Sequence, residues 1–360
     1  MESKNKFKVI GLMSGTSMDG LDIAYCHFSK KEKTWKYSIE NATTLRYPAS
    51  WLEKLSTAHT LRGEELVELD VAYGRFLGKA CDTFIKKHRL KVDFIASHGH
   101  TIFHRPTRGF TYQIGNGNAI HAESGFPVVC DFRSLDVILG GEGAPLVPVG
   151  DKFLFGEFDV CLNLGGISNL SMEIKGKRVA FDVSFCNMGL NYLMAKTGKE
   201  FDDEGKLSSQ GRENLPMLKK LNKVYNTLRR SRPSLGREIF ENKIRPILDA
   251  TGVSLKDKLY TYTTTCVKEI AQAILSSKKN GKVLCTGGGA FNSFLISRLL
   301  DSCGDDATLI IPEDDIIKFK EALVFAFLGV LRVRGENNCL QGVTGARKNS
   351  SSGILIGFRP

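Results

Sequence analysis

The chain has 360 residues, 42% of them hydrophobic and 25% charged, which describes a globular protein long enough for two domains and excludes a disordered or fibrous one. No apolar run approaches the roughly 18 residues of a membrane span, and the basic start "MESKNKFKVIGLM" lacks a signal peptide's apolar core and cleavage site. Much of the net charge of +11 falls in "KKLNKVYNTLRRSRPSLGREIFENKIR", and no RNA- or DNA-binding signature with interleaved aromatics accompanies it, so it reads as a solvated helical face and an attraction for an anionic small molecule, with neither nucleic acid nor membrane as partner.

In chain order, the first part predicts strands at 7–13, 21–28 and 35–45, with alternation in the second and third. A long amphipathic helix, "GEELVELDVAYGRFLGKACDTFIKKH", follows, then the strand "VDFIASH", an extended piece near 111–114, a short helix near 116–124 and the strand "PVVCDF". Past "GAPLVPVGDKFLF" the order begins again. Strands "DVCLNLG", "NLSMEI" and "KRVAFDV" precede the helix "MGLNYLMAKTG", which Gly198 ends. A polar insertion occupies 199–250. Helix 254–278, strand "KVLCTG", helix "FNSFLISRLLDS", strand "ATLIIP" and a last helix "KEALVFAFLGVLRVR" complete the chain. Two successive βββαβα units predict a duplicated α/β protein with paired mixed sheets, lobes at 1–148 and 149–360 and a cleft between them.

Nine cysteines stand singly, several inside apolar runs, with no C-x-x-C and no zinc spacing. Such thiols are small buried hydrophobes, and the pattern predicts a reducing, cytoplasmic setting.

Three glycine-bearing turns recur at strand ends: "SGTSMDG" (14–20), "NLGGISN" (163–169) and "CTGGGAFN" (285–292). Glycine lets backbone N–H groups approach a ligand, neighbouring hydroxyls add donors, and successive amides make an anion-binding concavity. Each turn alone is more often only a turn. Three in corresponding places of a duplicated fold predict a triphosphate cradle at Gly15, Thr16, Ser17, Met18, Asp19, Gly20, Leu21 and Asp22, at Gly165 and Gly166, and at Gly287, Gly288, Gly289 and Asn292. A carboxylate in such a loop repels phosphate, so Asp19 fits through a bound Mg²⁺ or its waters. The motifs G-x-x-x-x-G-K-[ST] and strand-linked G-x-G-x-x-G are absent, which excludes the nucleotide sites they mark.

The stretches "GLMSGTSMDGLDIA", "SHGHTIFHRP", "QIGNGNAIH", "VVCDFRSLDVILGGEGAPLVP", "LNLGGISNLS", "AFDVSFCNMGLN", "SLGREIF", "CTGGGAFNSFL", "KEALVFAFLG" and "VTGAR" resemble, in order and over nearly the whole chain, the anhydro-N-acetylmuramic acid kinases. These are sugar kinases of the actin/hexokinase/Hsp70 superfamily. The resemblance implies duplicated RNase H-like (actin-like ATPase) domains with an interlobe cleft. It also implies a reaction in which ATP, water and 1,6-anhydro-N-acetylmuramic acid become N-acetylmuramate 6-phosphate and ADP, carried out by a homodimer. Asp182 takes the place of the family's catalytic base, in "FDVSFCN" where the family has F-D-T-G-P-G-N, so Thr-Gly-Pro-Gly has become Val183, Ser184, Phe185 and Cys186. That replacement raises a different amino or anhydro sugar, or a catalytically degenerate ATP-binding regulator, as alternatives. On spacing alone, Asp182 would cap the helix that begins near Asn187.

The resemblance further implies a substrate site at Arg133, Asp131, His98, Arg105, Glu142 and Asn187. Arg133 and Arg105 are suited to a lactyl carboxylate, which guanidinium groups grip with two hydrogen bonds. His100 and Glu142 stand where the family has Gln. Asp19 and Glu321 would hold Mg²⁺ through water, with Glu321 at the start of the last helix, where charge complementarity explains it equally well. His98, His100 and His104 fit no common zinc spacing and read as a polar lining.

Overall fold

A computed structural model describes residues 4–15, 18–231, 234–276 and 280–359. The chain opens with strands β1 (Lys6–Ser14), β2 (Leu21–Lys31) and β3 (Thr34–Leu45), then helices α1 (Ala49–Thr57) and α2 (Gly63–His88). Strands β4 (Phe94–Arg105) and β5 (Phe110–Ile114), helix α3 (Gly117–Ser124), strand β6 (Val128–Cys130), and helices α4 (Ser134–Ile138) and α5 (Pro148–Phe153) follow. Next come β7 (Val160–Leu164), β8 (Ser168–Ile174), β9 (Lys177–Ser184), α6 (Cys186–Ala195), α7 (Leu215–Ser231), α8 (Arg237–Ile239), α9 (Arg245–Leu248) and α10 (Leu255–Leu275). Strand β10 (Gly281–Thr286), α11 (Ser293–Cys303), β11 (Ala307–Ile310), α12 (Asp314–Val333), α13 (Gln341–Thr344) and β12 (Ile354–Ile356) end it.

Contacts divide the chain into two units, one running to Leu154 and resuming at Phe319, the other spanning Phe155–Lys318. The C-terminal segment, which chain order placed with the second lobe, therefore packs with the first unit. Its strand β12 pairs with β6, and α12, apolar on nearly every side from Ala322 to Leu331, is buried there as such a helix must be.

In the first unit the strands lie in the order β12-β6-β4-β1-β2-β3, with β5 on β4. β1 pairs antiparallel with β2 and parallel with β4. As an interior strand it is covered on both faces, so its pattern passes from alternation to continuous burial after Lys8. The outer β3 is mostly polar and partly exposed. Helix α2 buries Leu69, Tyr73, Leu77, Cys81 and Phe84 at helical spacing. Glu65 accepts from the Arg62 amide at its start, and Lys86, Lys87 and His88 lie in its last turn, each complementing the helix dipole.

The second unit's sheet runs β11-β10-β7-β8-β9. β7 pairs antiparallel with β8 and parallel with β10, and β8 pairs antiparallel with β9. Substituting β1, β2, β3, β4 and β6 for β7, β8, β9, β10 and β11 reproduces the first sheet's order and directions. The expected duplication is therefore present in the strand topology, and the fold is a duplicated α/β one of the actin-like class. Within the insertion, α7 buries Met217, Leu221, Tyr225 and Leu228 along one face. Between α8 and α9 the helix widens to a π turn at Phe240–Ile244, where Pro246 has no N–H for the regular bond.

Candidate active site

In the first unit, β1 and β2 are joined through Gly15–Gly20, since Ser14 pairs with Leu21. Thr16 and Ser17, both expected in the cradle, lie outside the described residues. Of the rest, Met18 adopts a left-handed φ of 60° and donates to the Gly15 carbonyl at 3.2 Å. Asp19 is exposed, whereas Gly20 and Leu21 are buried. Asp22 accepts from Thr44 Oγ1 at 2.6 Å. Burial pushes its carboxyl up, Thr44 opposes this, and the negative charge of Asp19 adds to it.

Behind this loop runs a buried hydrogen-bond chain. Tyr73 OH and Tyr47 OH lie 2.7 Å apart, Tyr47 OH donates to Ser14 Oγ at 2.7 Å, and Ser14 Oγ meets His100 Nδ1 at 2.8 Å. With Tyr47 donating to Ser14, the Ser14 proton goes to His100 Nδ1, and the imidazole carries its own proton on Nε2. Burial lowers the His100 pKa to about 4. Nothing local in the sequence announces Tyr47 or Tyr73.

Next to it, Arg133 Nε donates to His98 Nε2 at 2.9 Å and Nη1 donates to the Gly143 carbonyl at 2.7 Å. His98 Nδ1 lies 2.9 Å from the Gly99 carbonyl, so it donates there, Nε2 accepts, and the ring is neutral. Burial, then the adjacent guanidinium, hold its pKa well below the usual histidine range. The guanidinium also stands 5.7 Å from the centre of the Phe325 ring, and burial lowers its own pKa to about 10. Two of its three nitrogens are used on protein, and Nη2 has no partner among the described residues.

Arg133 and Glu142 both act on the charge of His104, which brings Glu142 into the same neighbourhood. Asp131, at a φ of 54°, accepts from the Ser134 amide at 3.2 Å and so starts α4. Arg105 is exposed and donates to the neighbouring His104 carbonyl at 3.2 Å.

Glu321 was expected to begin the last helix. That helix starts at Asp314, with Asp314 and Asp315 in its first turn, so Glu321 stands two turns in and the N-terminal charge explanation does not hold for it. Its side chain keeps solvent access, yet crowding by protein raises its carboxyl pKa, Arg133 opposes this, and the negative charge of Asp22 adds to it. Asp19, Asp22 and Glu321 thus form a linked run of repelling carboxylates. No group of three or more His, Cys, Asp or Glu side chains could cage a metal by themselves among the described residues. One or two carboxylates completed by water and phosphate oxygens is how Mg²⁺ is usually held, and these residues fit that arrangement.

In the second unit, Asp182 lies on the edge strand β9, opposite Asn169 of β8. Its Oδ2 accepts from the Leu235 amide at 2.8 Å, and the Ser234 hydroxyl, next to that amide in the chain, also acts on the carboxylate. Burial raises its pKa and these two donors oppose the rise. It does not cap α6, whose N-cap Phe185 has no side-chain cap. A hollow of about 160 Å³ lies beside it, lined in part by Val183, Leu235, Arg229 and Glu269.

The replaced motif does not crowd this hollow with its aromatic ring. Phe185 is fully buried 5.6 Å from Phe240, with its amide on Tyr225 OH and its carbonyl on Tyr262 OH. None of Val183, Ser184, Phe185 or Cys186 has positive φ.

The two second-unit loops meet. Gly287, at a φ of 82°, passes so close that a Cβ would stand 2.9 Å from the Leu164 carbonyl carbon, and a Cβ on Gly289 would meet the Leu164 Cβ at 2.8 Å. Packing requires both glycines, while Gly288 and Gly166 are exposed. Asn187 Nδ2 donates to the Leu164 carbonyl at 2.9 Å, and the amides of Asn187 and Met188 donate to Gly165 and Gly166. Asn292 is buried and caps α11 through the Leu295 amide at 3.0 Å. Asn187 and Asn292 therefore shape the loops with their side chains.

All nine cysteines are free, eight of them buried, and no helix among the described residues is long and apolar enough to cross a membrane.

Solved structures similar to this chain include the activator of 2-hydroxyisocaproyl-CoA dehydratase from Clostridium difficile with bound ADPNP. It is 13% identical, with 91% of this chain and 95% of that one covered and a TM-score of 0.41. Component A of (R)-2-hydroxyglutaryl-CoA dehydratase from Acidaminococcus fermentans is 11% identical, with 89% and 96% covered and a TM-score of 0.41. The fold assignment rests on the strand order given above. Residues 7–357 match the family model of anhydro-N-acetylmuramic acid kinase. The protein of that name from Sulfurimonas denitrificans is 29% identical, with 96% of this chain and 98% of the relative covered. Its namesake from Shewanella woodyi is 32% identical, with 98% and 99% covered. With its glycine loops, its Asp182 and this match along nearly its full length, the chain belongs to the anhydro-N-acetylmuramic acid kinase family.

Proposed function

We propose that the chain opens the bridge of 1,6-anhydro-N-acetylmuramic acid with water and phosphorylates O6 from ATP, giving N-acetylmuramate 6-phosphate and ADP. The observation that carries this is Asp182: a half-buried carboxylate on an edge strand, held by the Leu235 amide, at the family's base position. Water forms a bond to C1 as the C1–O6 bond breaks, and its proton passes to Asp182. The freed O6 then bonds to the γ-phosphorus as the bond to the ADP oxygen breaks. A base must be ionised at working pH; burial raises the Asp182 pKa, and the Leu235 amide opposes the rise.

Gly15, Met18, Asp19, Gly20, Leu21 and Asp22, with Gly165, Gly166 and Gly288, are the described groups assigned to the nucleotide. Asp19 and Glu321 would hold Mg²⁺ through water, joined by Asp22, and the cation would supply charge neutralisation for the transferring phosphoryl group. Arg133 is assigned to the sugar's carboxylate because Nη2 is left over once Nε and Nη1 are placed. His98 orients that guanidinium, with Glu142 beside it. Arg105 and Asp131 have weaker support, since each is engaged by its own loop. A cytoplasmic setting rests on the free cysteines, and a homodimer on the resemblance. The degenerate-regulator alternative is not favoured by the relatives.

The test is incubation with Mg-ATP and 1,6-anhydro-N-acetylmuramic acid, with the 6-phosphate read by mass spectrometry. Asp182→Asn should bind ATP normally and form product about 10²–10⁴-fold more slowly, the usual worth of a general base. Wild-type turnover in that variant refutes the assignment.

A further inference from the structure

Asp182 raises a question that the reaction alone does not answer: what aims a half-buried carboxylate on an edge strand. Charged groups face it from two elements. Arg229 on α7 and Glu269 on α10 both line the hollow beside it. These two are locked together, Nε to Oε2 at 3.0 Å and Nη2 to Oε1 at 2.7 Å, so their charges cancel locally. Across the strand pair stands the neutral Asn169.

What reaches Asp182 is the pair Ser234 and Leu235, ahead of α8. The Leu235 amide donates to Oδ2 at 2.8 Å, and the Ser234 hydroxyl, next to that amide in the chain, acts on the same carboxylate to lower its pKa. The amide is not free to drift, because the Leu235 side chain is 6% exposed within the second unit's core. Hydrogen bonds to a carboxylate favour its charged form and set its direction. Burial alone would push it towards the neutral form, and these donors are what counter it.

We propose that Ser234 and the Leu235 amide are the positioning groups of Asp182, so that this pair of residues in the insertion serves to orient the carboxylate. The catalytic consequence rests on the base reading above; the positioning itself does not.

Ser234 is exposed, and Ser234→Ala leaves the core untouched. The experiment follows the ¹³C carboxyl resonance of Asp182 in the full-length chain against pH, with kcat/KM measured over the same range. Loss of one hydrogen bond to a carboxylate should raise the Asp182 midpoint in Ser234→Ala by about one pH unit, and Ser234→Thr, which restores the hydroxyl, should return it. In the unsubstituted protein the Leu235 amide proton should titrate with the same midpoint. An unmoved carboxyl midpoint in Ser234→Ala, or a Leu235 amide indifferent to it, overturns the proposal. If the carboxyl midpoint moves and the acid limb of kcat/KM moves with it, both readings stand. If the midpoint moves and the limb does not, the positioning stands and the base assignment falls.

Discussion

His100→Gln should make the first unit markedly less sensitive to acid. His100 is 3% exposed and accepts the Ser14 proton on Nδ1, so a proton arriving there meets another donor as well as a dry surrounding. Its pKa in the folded chain is about 4, against about 6.5 for a histidine in an unfolded one. The unfolded chain therefore binds the extra proton first as pH falls. The stability due to neutral His100 is complete above pH 6.5 and is lost progressively between there and pH 4. Linkage with these two values gives a loss of about 2 kcal/mol between pH 7.5 and pH 5.

Glutamine has no proton to gain, and its amide can still meet Ser14. His98 titrates in both proteins and cancels in the comparison. Urea unfolding at the two pH values, followed by tryptophan fluorescence, isolates the effect, because Trp35 and Trp51 both lie in the first unit. The wild-type chain should lose about 2 kcal/mol more than His100→Gln between pH 7.5 and pH 5. Equal losses would show that His100 is not held neutral, and the buried Tyr47–Ser14–His100 chain would be misread.

Two further substitutions test separate parts of the structure. Arg133→Lys cannot keep both His98 and the Gly143 carbonyl while presenting another donor; it should raise the sugar KM by about 10- to 100-fold with the ATP KM unchanged, the worth of a charge-assisted hydrogen bond. An unaltered sugar KM would remove Arg133 from the substrate site. Arg229→Ala leaves Glu269, whose side chain is 3% exposed, without its forked partner; unfolding should become easier by about 3 kcal/mol, the low end for breaking a buried pair because water reaches the Arg229 end. Adding Glu269→Gln should recover part of that loss in urea denaturation, and no recovery would mean that packing, not charge, was removed.

Much of the fold is legible along the chain because local pattern reports burial. β1 reads as a continuous apolar run since an interior strand is covered on both faces, and α2 shows its buried side at helical spacing. α7 could have been found the same way: Met217, Leu221, Tyr225 and Leu228 keep a helical period among lysines. The beginning of α12 was visible as well, in the acidic pair Asp314 and Asp315 ahead of the apolar run. Asp182 and the glycine loops were found through motif and resemblance, and Ser234 lay inside the quoted stretch "SLGREIF" with no local sign of what it touches.

The sequence by itself determined the two βββαβα series, the glycine turns that close their strands and the chemical kinds of side chain available to a site. Only the tertiary structure decided who meets whom. Ser14 joins His100 across 86 residues and Tyr47 across 33, Asp182 receives Leu235 across 53, and residues after Phe319 return to the first unit. Periodicity carries each residue's own burial, but a hydrogen bond between distant residues depends on where packing returns the chain, and that is a property of the whole fold.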